Sequence, residues 1–141
     1  MADNRQINEK YAKIGQELID TEDVLIDVRN SMATIIYLSS DHAKKDKDKL
    51  VFGQCEKVAD KYKWGIPCDF TITVFEPNVE GFSDEQIKIL LFHELLHVGI
   101  GYNLENAESY YIRGHDLDDF KIIIDRFGTD WDKVYTQFDV D

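Results

Sequence analysis

In the segment His93-Glu94-Leu95-Leu96-His97, two histidines stand four residues apart and a glutamate directly follows the first. On an α-helix that offset brings both imidazoles to one face. Two neutral ring nitrogens so placed can bind one Zn²⁺ at about 2.0–2.1 Å. Glu94 lies about 100° round the helix axis from His93, so it cannot easily join them as a third ligand. It can instead take a proton from a water whose pKa the metal has lowered, which is the work of a general base. The chemistry to which this pattern points is metal-assisted hydrolysis, of a peptide bond first of all.

The plainer explanation is a pair of hydrogen-bonded core histidines. The flanking residues weigh against it. Ile89-Leu90-Leu91-Phe92 precedes the motif and Leu95-Leu96 lies inside it, so the helix must be largely buried. Two histidines and a glutamate buried without partners would be costly, and one hydrated metal ion would satisfy all three. The chain has only 4 histidines, and two of them fall here.

A working zinc site needs a third protein ligand and an open fourth position. Six residues after His97 stands Asn103, and the position three residues after it is Ile100 rather than glycine, so the pattern is not that of the metzincins. The downstream candidates are Glu105, Glu108, His115, Asp116 and Asp119. His115 is favoured because it follows Gly114 and precedes a predicted helix, where a loop can fold back over the first one. Asp116 would cap that helix. Glu108 is the rival ligand. Asp116 or Asp119 could instead accept the free ring N–H of a ligating histidine. Tyr102, Tyr110, Tyr111 and Arg113 are expected at the rim, with Tyr110, Tyr111 or Arg113 a candidate to stabilise an oxyanion, although packing is the commoner work of a tyrosine. His42, beside a charged loop, is assigned no role.

These side chains need a frame. Ile7, Tyr11, Ile14 and Leu18 recur at helical spacing and predict an opening amphipathic helix, with a shorter helical stretch through Val24, Leu25 and Val28. Ala33–Leu38 and Leu50–Val58 read as strands, the second with Gly53 as a bulge. Between them Lys44-Lys45-Asp46-Lys47-Asp48-Lys49 reads as a solvated loop. Asp69–Phe75 is the clearest strand, since Phe70, Ile72 and Val74 alternate with Asp69, Thr71 and Thr73. The histidine helix is announced by Ser83 and Gln86 as a capping box, by Phe82 and Ile87 as a staple, and by Asp84 and Glu85 in the first turn. Gly99 or Gly101 should stop it. A loop or short hairpin covers Tyr102 to Gly114. A further helix should start at Asp116, bear Leu117, Phe120, Ile124 and Phe127, and stop at Gly128. Asp130 opens a last short helix with Trp131, Val134, Tyr135 and Phe138. The expected fold is α+β, one domain over residues 1–141: a small, mostly antiparallel sheet packed with an N-terminal helix, the histidine helix and a C-terminal helix.

The 141 residues are 43% hydrophobic and 31% charged, the balance of a folded globular protein. No stretch reaches the length of a membrane span, and Met1-Ala2-Asp3-Asn4-Arg5 lacks the form of a signal peptide, so the expected location is the cytoplasm. A net charge of −12 argues against direct nucleic-acid binding, which relies on basic side chains against phosphates. Cys55 and Cys68 have no metal-binding spacing and are expected reduced and buried.

Lys63-Trp64, Asp69-Phe70-Thr71-Ile72 and Glu85-Gln86, leading into Leu91-Phe92-His93-Glu94-Leu95-Leu96-His97-Val98-Gly99, resemble the pattern of the phage metallopeptidase family. His115-Asp116-Leu117-Asp118-Asp119-Phe120 and Gly128-Thr129-Asp130-Trp131 resemble its second half, so that the likeness runs from about Ile35 to Trp131. The resemblance implies a zincin-like peptidase of a bacteriophage or mobile element, acting in the host cytoplasm on a protein or peptide. It implies one Zn²⁺ per chain on His93, His97 and His115, with Glu94 as catalyst. The arrangement is also similar, more loosely, to SprT-like and minigluzincin-type proteins. The rival expectation is a non-catalytic, metal-stabilised protein-binding factor of a phage or mobile element, which a closed four-ligand site would favour.

Overall fold

The computed structural model describes residues 4–115 and 119–133. In chain order the elements are β1 (Arg5–Ile7), α1 (Glu9–Thr21), α2 (Ile26–Arg29), β2 (Ile35–Ser40), β3 (Lys45–Asp46), β4 (Lys49–Leu50), β5 (Gly53–Lys57), β6 (Phe70–Phe75), α3 (Asp84–Leu96), β7 (Val98–Tyr102), β8 (Glu108–Ile112) and α4 (Lys121–Phe127). The fold is α+β, as the residue patterns require. The expected helical positions Asp116, Leu117, Val134, Tyr135 and Phe138 lie outside the described residues.

The main sheet has the order β1-β2-β6-β5, with β2 and β6 parallel and the other two pairs antiparallel. β6 is therefore an interior strand and β5 an edge. Phe70, Ile72, Val74 and Phe75 are fully buried in β6, and so is Thr73, which simple alternation would turn to solvent. Arg5 explains the exception: its guanidinium donates to Thr73 Oγ1 at 3.1 Å and lies 5.7 Å from the Phe75 ring centroid, closing that face from β1. α3 packs against α1, β5 and β6. The hydrophobic core joins Tyr11 and Leu18 of α1 to Ile72 and Val74 of β6 and to Leu91 and Leu95 of α3.

α1 differs from expectation at its start. Ile7 is not on the helix face but in β1, 64% exposed, opposite Leu38. Asn8 begins the helix by accepting the Tyr11 N–H at 3.0 Å, a cap that asparagine supplies well. The lysine-rich segment is exposed as expected, yet it folds into the hairpin β3–β4, with Lys47 at φ 58 in its turn.

α3 is fixed by its first turn. Ser83 accepts the Gln86 N–H at 3.2 Å, and Gln86 accepts the Ser83 N–H at 2.8 Å. The helix ends at His97, not at Gly99 or Gly101. Arg113 N–H donates to the His97 carbonyl at 2.7 Å, which turns the chain into the β7–β8 hairpin, and both glycines lie in β7. Gly99 is needed there because the Tyr111 ring occupies the space of a side chain. Gly53 likewise marks a close approach and not a bulge: it pairs in register with Val74, and a Cβ on it would meet Glu94 Oε2 at 3.2 Å. α4 starts at Lys121, later than expected, and Gly128 at φ 81 ends it as expected. Cys68 is buried and Cys55 half-buried, and both are free thiols. No helix among the described residues is long and apolar enough to cross a membrane.

Candidate metal centre

His93 lies in the last turn of α3 and His97 is its C-cap. His115 follows β8, brought over the end of α3 by the return of the hairpin. Its Nε2 lies 3.0 Å from Nε2 of His93 and 2.9 Å from Nε2 of His97. The ligand atoms of the three all lie within 4.8 Å of one another. Phe120, 3% exposed, places its ring edge-on to all three imidazoles, with centroid distances of 5.5, 4.9 and 5.2 Å. This apolar backing holds the rings together.

The opposite edges of two rings are committed. His93 Nδ1 lies 2.6 Å from Asp119 Oδ1, and His97 Nδ1 lies 2.6 Å from the Arg113 carbonyl oxygen. An ionised carboxylate and a carbonyl can only accept, so both Nδ1 atoms carry the proton. In the neutral rings both Nε2 lone pairs then point at the third imidazole. Two lone pairs thus converge on the third Nε2 at about 3 Å; a neutral His115 offers at most one N–H to the two, whereas a cation among the three nitrogens would satisfy all of them, and imidazole nitrogen is a donor suited to zinc and its neighbours. The cluster thus fits a metal ion.

The titration of these groups agrees with their surroundings. Burial, with the neighbouring His93 and His115, pushes His97 down to about 4, which keeps it neutral. For His93 burial acts in the same direction, but the Asp119 hydrogen bond and the nearby Glu94 and Asp119 charges outweigh it and raise the pKa. Asp119 is held below the usual carboxylate range: burial works against this, and the His93 and Trp131 hydrogen bonds prevail. Glu94 is 4% exposed, its Oε2 4.0 Å from His93 Nε2, and burial pushes its pKa up to about 7. A carboxylate tuned to that range can both take and return a proton near neutrality.

His93, Glu94 and His115 border a cleft of about 330 Å³. Lys49 and Leu50 of the β3–β4 hairpin, Gly53, Leu90 and Trp131 also line it. Other anticipated residues are elsewhere. The Glu108 carboxylate accepts the Met32 N–H at 3.0 Å and the Tyr110 hydroxyl at 2.8 Å, away from the histidine cluster. Tyr110 packs on Phe70 and under the Lys63 ammonium, and Tyr111 lies over Gly99. Arg113 contributes its backbone, since both its N–H and its carbonyl bind His97. Tyr102 is 65% exposed at the end of β7. Tyr110, Tyr111 and Arg113 are not among the described residues that line the cleft. Glu105 lies in the hairpin turn, where its N–H donates to Asn103 Oδ1 at 2.9 Å. His42 is exposed, and its N–H binds Ser40. Asp116 is outside the described residues. The spacing of Phe120 and Trp131 marks them as helix-face residues and carries no sign of their place beside the histidines. The sequence marks Gln86 as a cap, and it also lies seven residues before His93 and so on the same helix face.

An α+β domain that gathers three imidazole nitrogens beside a buried glutamate defines a protein with a candidate metal site. The chain belongs to the family described as "Putative phage metallopeptidase", whose family model matches residues 4–139. That match gives no support to the looser SprT-like likeness. No curated protein and no solved structure matches the chain.

Proposed function

We propose that this protein is a zinc-dependent peptidase in which His93, His97 and His115 hold one Zn²⁺ through Nε2 and Glu94 is the general base. The observation that carries the reading is the meeting of three Nε2 atoms, two of them on rings whose Nδ1 protons are already engaged. When bound, zinc supplies a Lewis acid that acidifies a coordinated water and polarises the scissile carbonyl. Glu94 takes a proton from the attacking water and returns it to the leaving amine. Burial at the base of the cleft keeps its carboxylate in reach of that water and out of bulk solvent. Asp119 and the Arg113 carbonyl keep His93 and His97 in the tautomer that leaves Nε2 free. A protein or peptide substrate runs along β5, the edge strand whose Gly53 borders the cleft, in the manner of strand addition.

The rival reading, a metal-stabilised binding factor, calls for a fourth protein ligand. Among the described residues the cluster consists of three histidines alone, which favours the peptidase. The test is zinc content by elemental analysis, together with cleavage of host-lysate proteins. The parent should hold one zinc per chain and His115→Ala should lose it. Glu94→Gln should keep the metal and lose at least about 10²-fold in rate. A Glu94→Gln variant that cleaves like the parent removes Glu94 from the reaction.

A further inference from the structure

We infer that Gln86 and Trp131 are positioning residues for the metal centre, acting on His93 through Asp119, so that metal affinity depends on hydrogen bonds made at the opposite end of α3. The inference rests on the reading that the histidine triad holds a metal.

The contacts form a circuit. Gln86 Nε2 donates to the carbonyl oxygens of Trp131 at 3.0 Å and Lys133 at 2.6 Å. These two bonds seat the turn that follows α4 upon the first turn of α3. From that turn the Trp131 indole Nε1–H donates to Asp119 Oδ2 at 2.9 Å. The other oxygen, Oδ1, accepts the Phe120 N–H at 2.7 Å and takes the His93 Nδ1 proton at 2.6 Å. The path leaves α3 at Gln86 and re-enters it seven residues on, roughly 10 Å along the axis. One rigid helix therefore holds both ends, and the seat of Trp131 is measured against the element that carries His93 and His97.

Each member has little freedom left. The Gln86 amide is used on both sides, its oxygen by the Ser83 N–H and its nitrogen by the two carbonyls. The Asp119 side chain is 15% exposed and that of His93 13%, so water competes weakly for their bond. Without the indole donor, Oδ2 loses its fixed partner and the carboxylate can turn, taking the His93 ring with it. Partners of this kind behind a ligating histidine typically govern affinity by about 10–100-fold.

Two substitutions separate positioning from packing. Trp131→Phe keeps an aromatic wall and removes only the N–H. Gln86→Glu keeps an acceptor for the Ser83 N–H, and so the capping box, while replacing the donor to the two carbonyls. The full chain is stripped of metal, and zinc is titrated against a competing chelator, with thermal melting of the metal-free protein alongside. Each variant should bind zinc about tenfold more weakly or worse, a loss larger than any lowering of the metal-free melting temperature accounts for, since Gln86→Glu also sets a carboxylate oxygen against the two carbonyls. The double variant should fall short of the product of the two single effects, because both act on one path. In a Trp64→Phe background, which leaves Trp131 as the only indole, zinc should change the emission of the parent, and Gln86→Glu should shift it to the red. Zinc affinities within twofold of the parent for either variant overturn the relay while leaving the metal reading intact. A parent that takes up no zinc overturns the metal reading, and the relay falls with it.

Discussion

Asp119 Oδ1 lies 2.6 Å from Nδ1 of His93, and this contact decides which nitrogen of the ring faces the cleft. The carboxylate comes from outside α3, so the orientation of a ligand on the helix depends on a residue beyond the hairpin. Asp119→Ala is expected to weaken zinc binding by about 10–100-fold, and Asp119→Asn by less, because its amide oxygen still accepts the proton. Chelator competition measures both. Equal affinity in parent and alanine variant would show that the ring is held by Phe120 packing alone.

Gly53 offers a second lever, on the base instead of the metal. A Cβ there would stand 3.2 Å from Glu94 Oε2 and 3.3 Å from Leu90 Cδ1. The carboxylate must give way by a few tenths of an ångström, and misplacement of a reacting group on that scale is costly. Gly53→Ala should lower kcat by about 10-fold or more while zinc content stays at the parent level. Steady-state kinetics with metal analysis on the same sample would check it, and an unchanged kcat refutes the tight fit.

Acid sensitivity should centre on Asp69. Its carboxylate takes the Thr34 N–H and the Lys63 ammonium, each at 2.8 Å, joining the starts of β2 and β6. Burial pushes its pKa upward, but the Lys63 and Thr34 bonds outweigh this and hold it below the usual range. A value lower in the folded state than in the unfolded one stabilises the fold above the unfolded pKa of about 3.9, and that stabilisation is lost as pH falls through the folded value. Asp69→Ala should cost about 2 kcal/mol at pH 7. The gap to the parent should narrow as the pH is lowered through the acid range, in urea titrations read by circular dichroism. A gap independent of pH would assign the loss to packing.

Tyr37 should respond in the opposite direction. It is 5% exposed, and its hydroxyl has no hydrogen-bond partner among the described residues, lying against Gly15 of α1. Tyr37→Phe removes a buried polar atom that gains nothing, so stability should stay level or rise by up to about 1 kcal/mol. Gly15→Ala should destabilise by about 1–3 kcal/mol through overpacking against the same ring. Thermal melts of the two variants decide, and a destabilised Tyr37→Phe would reveal a partner for the hydroxyl.

What could be read from the residues alone was local. Ser83 and Gln86 cap a helix within one turn, and His93 and His97 share a face within another, so neither needs knowledge of the rest of the chain. The strand at Phe70–Phe75 also declared itself, through alternation. The departures came where distant segments meet. Thr73 is buried because Arg5 arrives from β1. Gly99 enters a strand because the Tyr111 ring takes its side-chain space. Gly53 answers to Glu94. Glu108, the rival to the favoured His115, has its carboxylate engaged by Met32 and Tyr110. Trp131 looked like one more apolar helix residue, since nothing in its neighbours announces that its indole meets Asp119.

The doubled contact between His97 and Arg113 has a practical meaning for the hairpin it encloses. The Arg113 N–H binds the His97 carbonyl at 2.7 Å and its own carbonyl meets His97 Nδ1 at 2.6 Å, so residues 98–112 leave and return through a single stitched gate. At the far end Leu104 is fully exposed, and the turn around it is held by Asn103. The tip is thus insulated from the histidines, and it marks a place where an affinity tag or a fluorescent domain could be spliced in without disturbing them.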